Sequence, residues 1–240
     1  MFPENAEWYD ALYAGVKDFD AEAAWIAERL RDLNPAAHDV LDAACGTGRH
    51  ATALATTHGF AVDGFDLDPA MVRIAAARNP AGRFTVADLT DFVLDLEYDV
   101  ILCMFSSIGY VRTPQNLART LRRFAEHTRP DGIVLVEPWF PPGVLQHGYV
   151  MTLTADAGDA RVCRMSRTTV EGRLSRLVFE YLIGEPNGIR RAAEVHELGL
   201  FTREETLGAF QSAGFDAHHQ PDGPTGRGLY VGRKPAAPRT

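Results

Sequence analysis

Between Ala37 and Pro138, short apolar runs alternate with stretches in which apolar residues recur every three to four positions. The runs at Asp39–Ala43, Ala61–Asp66, Arg83–Ala87, Val100–Phe105 and Ile133–Glu137 read as strands. The intervening stretches read as helices: one from about Arg49 to Thr57, one opened by Pro69 and ended near Asn79-Pro80, and one beginning after Pro114. Five short apolar strands alternating with helices predict a parallel, doubly wound α/β sheet with right-handed crossovers.

The flanks have a different texture. Tyr9, Leu12, Tyr13 and Val16 fall at helical spacing, and Trp25, Ile26 and Leu30 continue an apolar face. Residues 1–35 therefore form a helical segment, either a lid over a site or a packing helix at the sheet edge. From Val150 to Phe201 the chain becomes β-rich, with Arg161, Arg164, Arg167, Arg173 and Arg176 interleaved with Val162, Met165, Leu174, Leu177 and Phe179. This predicts an antiparallel β insertion over 150–199 that extends the sheet or forms a dimer face. Because Glu171 and Glu180 interrupt the arginines, the stripe is expected to be a solvated face or dimer rim. A helix capped by Thr202 leads to a strand pair around Phe215 to Gly232, so 36–149 and 200–233 make up the main domain and 234–240 a flexible tail.

Composition narrows the function classes. With 240 residues, 46% hydrophobic and 23% charged, disorder is excluded and one embellished domain is expected. The net charge of -8 disfavours nucleic acid or anionic lipid as a partner unless a basic face is concentrated somewhere. The longest strongly apolar run, Val100 to Phe105, is too short to cross a bilayer, and the N-terminus lacks the pattern of a secretory signal, so a soluble cytosolic protein is expected. Cys45, Cys103 and Cys163 lie too far apart for a zinc or redox pair and read as reduced. The adjacent His218 and His219 would point to opposite faces of a strand, and no metal site is expected.

The informative stretch is Asp42-Ala-Ala-Cys-Gly-Thr-Gly48, where a strand turns into a helix. Gly46 and Gly48 allow a tight turn and close approach of a ligand. Eighteen residues past Gly48, the second strand ends at Asp66, a carboxylate placed for a ribose diol. Gly46-x-Gly48-x-x-Ala51 also satisfies the loose dinucleotide pattern, so a nicotinamide-dependent oxidoreductase is a rival. Asp42 decides against it. A carboxylate there would repel a pyrophosphate but suits an ammonium or sulfonium, and Asp88 offers a partner for an adenine amine. S-adenosylmethionine, leaving as S-adenosylhomocysteine, fits better than NAD.

The Asp42–Gly48 stretch resembles the first motif of class I S-adenosylmethionine-dependent methyltransferases, whose fold is a Rossmann-like doubly wound sheet. Four further stretches, Cys103-Met-Phe-Ser-Ser-Ile-Gly109, Val136-Glu-Pro-Trp139, Leu200-Phe-Thr-Arg-Glu204 and Gly223-Pro-Thr-Gly-Arg-Gly228, resemble the bacterial dTDP-3-amino-deoxysugar N,N-dimethyltransferases of the desosamine and mycaminose type. The similarity runs from Trp8-Tyr9-Asp10 to Arg227. It implies a cofactor site of Asp42, Ala44, Gly46, Gly48, Asp66, Leu67, Met71, Asp88, Leu89 and Met104. It further implies a nucleotide-sugar pocket of Tyr9, Tyr13, Ser106, Ser107, Trp139 and Arg227, with Arg227 gripping a diphosphate, Ser106 and Ser107 shaping the pocket, and Tyr9 and Tyr110 at the reacting amine. Two positions depart from the family: Tyr110 stands where a histidine is common, and Phe19 where a tyrosine follows Lys-Asp. A phenol of ordinary pKa near 10 is a weak proton acceptor at neutral pH. Tyr110 is therefore assigned to orientation. The implied activity is methylation of a small amine, a dTDP-amino sugar, in antibiotic biosynthesis, with a homodimer as an expected partner. Methylation of another small molecule at N or O, or cofactor binding without catalysis, remain the alternatives.

Overall fold

The computed structural model describes residues 5–236 of the chain. Two helices, α1 (Asn5–Ala14) and α2 (Phe19–Leu33), precede the alternation β1 (Asp39–Ala43), α3 (Arg49–His58), β2 (Ala61–Asp66), α4 (Pro69–Arg78), β3 (Phe84–Val86), β4 (Tyr98–Cys103), a 3-10 helix (Ser107–Val111), α5 (Pro114–His127) and β5 (Thr128–Val136). Four long strands follow, β6 (Val150–Ala157), β7 (Ala160–Glu171), β8 (Leu174–Glu185) and β9 (Gly188–Gly199). The described chain closes with α6 (Arg203–Ser212), β10 (Asp216–Gln220) and β11 (Leu229–Arg233).

Side-chain oxygens set the helix starts. Asp18 accepts the Ala21 N–H, Asp68 the Ala70 N–H and Thr113 the Asn116 N–H, with proline opening α4 and α5. Thr202 and Glu205 form a reciprocal capping box at α6.

The main sheet runs β10-β11-β5-β4-β1-β2-β3, with β1 to β5 parallel and the last hairpin antiparallel. Both faces are covered, so alternate residues serve two cores. Val40, Val100, Leu102, Ile133 and Leu135 pack with Ala23, Ile26 and Leu30 of α2 and Leu54 of α3. Leu41, Ile101, Cys103, Val134 and Val136 pack with Leu117, Leu121 and Phe124 of α5 and Phe210 of α6. Each fully buried side chain of this size contributes about 1.5–3 kcal/mol. Strand order reverses between β1 and β4, and the crevice beyond the carboxyl ends of those strands is where such sheets bind ligands.

The insertion does not extend this sheet. It is a separate antiparallel meander, β6-β7-β8-β9. Its parity corrects the expectation of one arginine stripe. Arg161 and Arg167 lie exposed on the outer face, whereas Arg164, of opposite parity, is 3% exposed on the inner face, over the rings of Tyr13 and Phe179. Trp8 and Leu12 of α1 pack against that inner face with Val162, Phe179 and Ile183, while Ala6 packs on Ala70 and Met71 of α4. Thus α1 bridges the main domain and the insertion, and α2 is a packing layer.

Three further expectations shift. β4 starts at Tyr98 and ends at Cys103, because Phe105 and Ser106 adopt left-handed backbone conformations (φ 52° and 62°). β5 starts directly after α5 at Thr128, and its irregular pairing near Tyr98 admits Pro130 and Asp131 before the apolar run. Lys234, assigned to a flexible tail, donates from Nζ to Ala125 and Thr128 carbonyls at the end of α5, 2.7 and 2.6 Å away. Residues 1–4 of the helical segment and 237–240 of the tail lie outside the described residues.

Gly48, at φ 73°, would bring a Cβ to 2.8 Å from Ala75 Cβ on α4, whereas a Cβ on Gly46, at φ 55°, would meet nothing within 4 Å. Gly48 is therefore glycine for helix packing and Gly46 for the open crevice. Gly48→Ala is expected to cost about 2–4 kcal/mol of stability and Gly46→Ala only the backbone strain of about 1–2 kcal/mol, read from denaturant midpoints.

Candidate functional site

β1 ends in a turn whose backbone is held from the neighbouring strand. Cys45 N–H donates to the Phe65 carbonyl at 2.9 Å, and Gly46 N–H donates to Asp66 Oδ2 at 2.9 Å. Asp66 Oδ1 accepts the Asp68 N–H, so each oxygen of this carboxylate has one backbone donor and further acceptor capacity. Burial, exceeding the help of those donors, raises its pKa. Ala44 is forced to φ 61° by the same turn.

Asp42 lies beneath the turn. Its side chain is 2% exposed, and its Oδ2 accepts no hydrogen bond from the described residues. Burial pushes its pKa up to about 6, against the pull of nearby His50 and with the charge of Asp66 adding to the rise. A buried carboxylate with an unpaired oxygen is costly unless a cation completes it. The orphaned oxygen, the open space at Gly46 and the Asp66 carboxylate fit a ligand with a cationic amino-acid end and a ribose, as S-adenosylmethionine has.

The other predicted cofactor residues divide. Leu67 is 66% exposed beside Asp66. Asp88 Oδ1 accepts both the N–H and the hydroxyl of Thr90 at 2.7 Å, an Asx turn at the end of β3. Met71, Leu89 and Met104 are buried in packing, Met71 under α1 and the other two in the cores on either side of the sheet. They support the crevice from below.

α1 is latched onto the glycine turn. Thr47 Oγ1 donates to Asp10 Oδ1 at 2.6 Å, and Arg78 donates to Asp10 Oδ2 at 2.5 Å and to the Thr47 carbonyl at 2.6 Å. This places Tyr9 and Tyr13 over the crevice, their rings 4.7 Å apart, with Tyr13 edge-on to Phe105 at 5.2 Å. Arg164 donates to the Tyr13 hydroxyl at 3.0 Å. Burial, then the fields of Tyr13, Tyr110 and Asp66, hold the Tyr9 phenol well above its ordinary pKa. The Tyr110 phenol is raised too, by burial first and then Tyr13, Asp66, Glu194 and Tyr181. Tyr9, Tyr13, Tyr110 and Asp66 thus converge at one place. Tyr110 is 47% exposed as a residue, with Tyr13, Asp66, Glu194 and Tyr181 close enough to act on its phenol. Its hydroxyl lies 3.0 Å from His196 Nδ1, and His196 Nε2 lies 3.0 Å from Glu194 Oε2.

Glu137, fully buried, organises the opposite wall. Its Oε2 accepts the Phe105 N–H at 2.6 Å, and its Oε1 accepts from the Thr225 hydroxyl and from Arg227 Nη2. Arg227 Nε also donates to the Pro138 carbonyl at 3.3 Å, and its guanidinium lies over Trp139 and Phe140. Arg227, expected to grip a diphosphate, is held in this structure by Glu137 and the Pro138 carbonyl. Ser106, predicted to shape the pocket, is 1% exposed and donates to the Pro138 carbonyl at 2.6 Å, because the left-handed turn aims it there. Ser107 stays partly accessible. Trp139 Nε1 donates to Ser175 Oγ at 2.9 Å, tying β8 to the main domain. Lys17 Nζ sits 4.2 Å from the Phe105 ring centre and bonds Glu22, whose pKa is lowered because His50 and Lys17 outweigh its burial.

Glu137, His196 and Glu194 carried no assignment from sequence. Glu137 lay inside a quoted motif, and the i, i+2 spacing of Glu194 and His196 marks one strand face, but their partners come from strands and turns distant in the chain. No group of three or more His, Cys, Asp or Glu among the described residues is arranged to hold a metal ion. No described helix is long and apolar enough to cross a membrane.

Comparison with known proteins agrees with this geometry. The methyltransferase domain family matches residues 40–132. The chain is 42% identical, over 95% of its length and 90% of the relative's, to dTDP-3-amino-3,6-dideoxy-alpha-D-glucopyranose N,N-dimethyltransferase of Streptomyces fradiae. It is 38% identical, over 96% and 92%, to dTDP-4-amino-2,3,4,6-tetradeoxy-D-glucose N,N-dimethyltransferase of Saccharopolyspora spinosa. The structure of the S-adenosylmethionine-bound amino pentose methyltransferase CalS10 from Micromonospora echinaspora superposes with a TM-score of 0.84 at 35% identity, over 94% of this chain and 96% of that one.

The raised pKa of Asp42 has a thermodynamic sign. The folded ligand-free protein holds this proton more tightly than the unfolded chain, so its stability falls as pH rises from about 4 to about 6, by about 3 kcal/mol from this group. Asp42→Asn is expected to remove that part of the slope and, at pH above about 7, to stabilise the ligand-free protein by about 1–3 kcal/mol while weakening S-adenosylmethionine binding at least about tenfold. Denaturation at two pH values and calorimetric titration measure the two effects.

Proposed function

The chain belongs to the family of S-adenosylmethionine-dependent dTDP-amino-deoxysugar N,N-dimethyltransferases, and from that footing we propose that it methylates the amino group of a dTDP-linked amino-deoxysugar in natural-product biosynthesis. The observation that carries this reading is the unpaired, buried Asp42 carboxylate beneath an open glycine turn, beside an Asp66 that lies near a cluster of tyrosines.

Within the site, Asp42 would hold the ammonium of the cofactor, Asp66 its ribose hydroxyls, and Leu67 and Asp88 its adenine. S-adenosylmethionine supplies an electrophilic methyl group on a sulfonium. The protein's task is to hold a neutral amine in line with that group, where orientation contributes much of the acceleration. Tyr9, Tyr13 and Tyr110 surround the place where the amine would sit. Burial raises the phenols of Tyr9 and Tyr110, which orient the amine by hydrogen bonding. Ser107 and Trp139 line the sugar side. Arg227 supports the diphosphate end through the loop it holds to Glu137.

The relatives carry their amines at ring position 3 or 4, so both classes belong in the test. Incubation with S-adenosylmethionine and a panel of dTDP-3-amino- and dTDP-4-amino-deoxysugars is expected to give two successive gains of one CH2 unit by mass spectrometry. No gain on any amino sugar would overturn the reading. The exposed Met165, Leu182, Ile189 and Val195 on the outer face of the insertion support the expected homodimer.

The inward pairing of Arg227 separates two roles. Arg227→Ala leaves the buried Glu137 uncompensated and is expected to cost about 3 kcal/mol of stability, which Arg227→Ala combined with Glu137→Gln recovers in part. A raised KM for the nucleotide sugar in both variants would mark diphosphate support; a KM restored with stability would confine Arg227 to loop packing.

A further inference from the structure

Tyr110 is the first member of a chain of three hydrogen-bonded groups that crosses from the main domain to the insertion. Its hydroxyl meets His196 Nδ1 at 3.0 Å, and His196 Nε2 meets Glu194 Oε2 at 3.0 Å. An ionised carboxylate can only accept, so Nε2 carries the hydrogen and Nδ1 presents its lone pair to the Tyr110 O–H. The i, i+2 spacing on β9 turns both residues to the inner face, where their side chains are 11% and 6% exposed. The Phe179 ring, 4.7 Å from the imidazole, fixes its plane. Nothing in the orientation role assigned to Tyr110 requires a buried imidazole behind it.

We propose that His196 is the proton acceptor for the methyl transfer, reached through the Tyr110 hydroxyl, and that Glu194 positions its imidazole; neither residue touches the substrate. This rests on the amino-sugar reading above. The bound ammonium passes a proton to the Tyr110 oxygen as the proton of Tyr110 moves to His196 Nδ1, leaving a neutral amine and an imidazolium bonded to Glu194. The amine lone pair then forms the C–N bond while the C–S bond breaks with its electron pair going to sulfur. The monomethylated product is again an ammonium and must lose a proton before a second transfer, so the relay discharges to solvent and works twice. A phenol held neutral can carry a proton only if its own has a destination, and His196 is that destination.

The charges around the pair are mixed. Glu194 of β9, bonded to Nε2, favours an imidazolium. Arg164 of β7, over the Phe179 ring at 4.3 Å, opposes it. Tyr9 and Tyr13 of α1 and Tyr181 of β8 lie around Tyr110. Removing Glu194 therefore takes away the negative partner of an imidazolium.

The test is steady-state kinetics across pH on the amino sugar that the protein turns over best, for wild type, His196→Gln, Glu194→Gln, Tyr110→Phe and the Tyr110→Phe/His196→Gln pair. His196→Gln is expected to lower kcat about tenfold to hundredfold near pH 7, with KM and cofactor affinity within about twofold. Most of the loss should return above about pH 9, where amines begin to lose their proton unaided. Monomethyl product should accumulate near neutrality. Glu194→Gln moves the acid limb of the profile to lower pH. The double variant loses no more than either single one, because both cut one route. A His196→Gln enzyme with wild-type kcat and profile, or additive losses in the pair, overturns the relay. A loss in His196→Gln that no rise in pH recovers makes its role structural and also overturns it. Wild type inactive on every amino sugar instead overturns the amino-sugar reading and the relay with it, an outcome recognisable because the unmodified protein is silent.

Discussion

A carboxylate shut away from water with one oxygen unbonded is the constraint from which the rest of this molecule follows. Asp42 sits at the end of β1, where the strand order of the sheet reverses, and neither backbone nor side chain among the described residues completes its Oδ2. Left alone, such a group lowers stability; completed by a cation, it becomes the deepest anchor of a binding site. The turn above it is shaped accordingly. Asp66 holds the Gly46 N–H, Gly46 leaves space, and Gly48 lets α3 approach α4 so that the turn has a rigid base. The sheet, cores and helix caps hold this arrangement in place against its own cost.

A second set of contacts closes the site from the other side. α1 is pinned to the glycine turn through Asp10, Thr47 and Arg78 and to the insertion through Trp8 and Leu12. The insertion sheet, which belongs to none of the sheet's βα units, supplies Arg164 under Tyr13 and His196 behind Tyr110. Its inner face is therefore polar at the crevice and apolar beneath α1. In the proposed reading the ends of β1 and β2 serve the cofactor, and α1, the turn after β4 and β9 serve the acceptor. Glu137 joins the two halves by holding the strained exit of β4 and the loop of Thr225 and Arg227 on one carboxylate.

What could be read from residues alone was what depends on neighbours in the chain. The strand and helix alternation, the turn at Asp42–Gly48 and the carboxylate of Asp66 are local patterns, and the structure places them as expected. The contacts that residues alone did not reveal share one physical cause. Arg227 and Ser106 have side chains whose partners, Glu137 and the Pro138 carbonyl, lie about thirty to ninety residues away, so their inward orientation leaves no local trace. The parity of Arg164 against Arg161 and Arg167 was available as a period-two pattern, but it marks an inner face only once the insertion has something to cover. His196 was silent for the same reason: its meaning comes from Tyr110, which stands 86 positions earlier.

The most direct test of the central claim is the number of protons exchanged when S-adenosylmethionine binds, measured by calorimetry near pH 6 in buffers of different ionisation enthalpy. If Asp42 is half-protonated there in the free protein and fully ionised beneath the ligand's ammonium, wild type releases about half a proton on binding and Asp42→Asn loses that release. Equal proton release by both proteins, or none by wild type, would contradict the account.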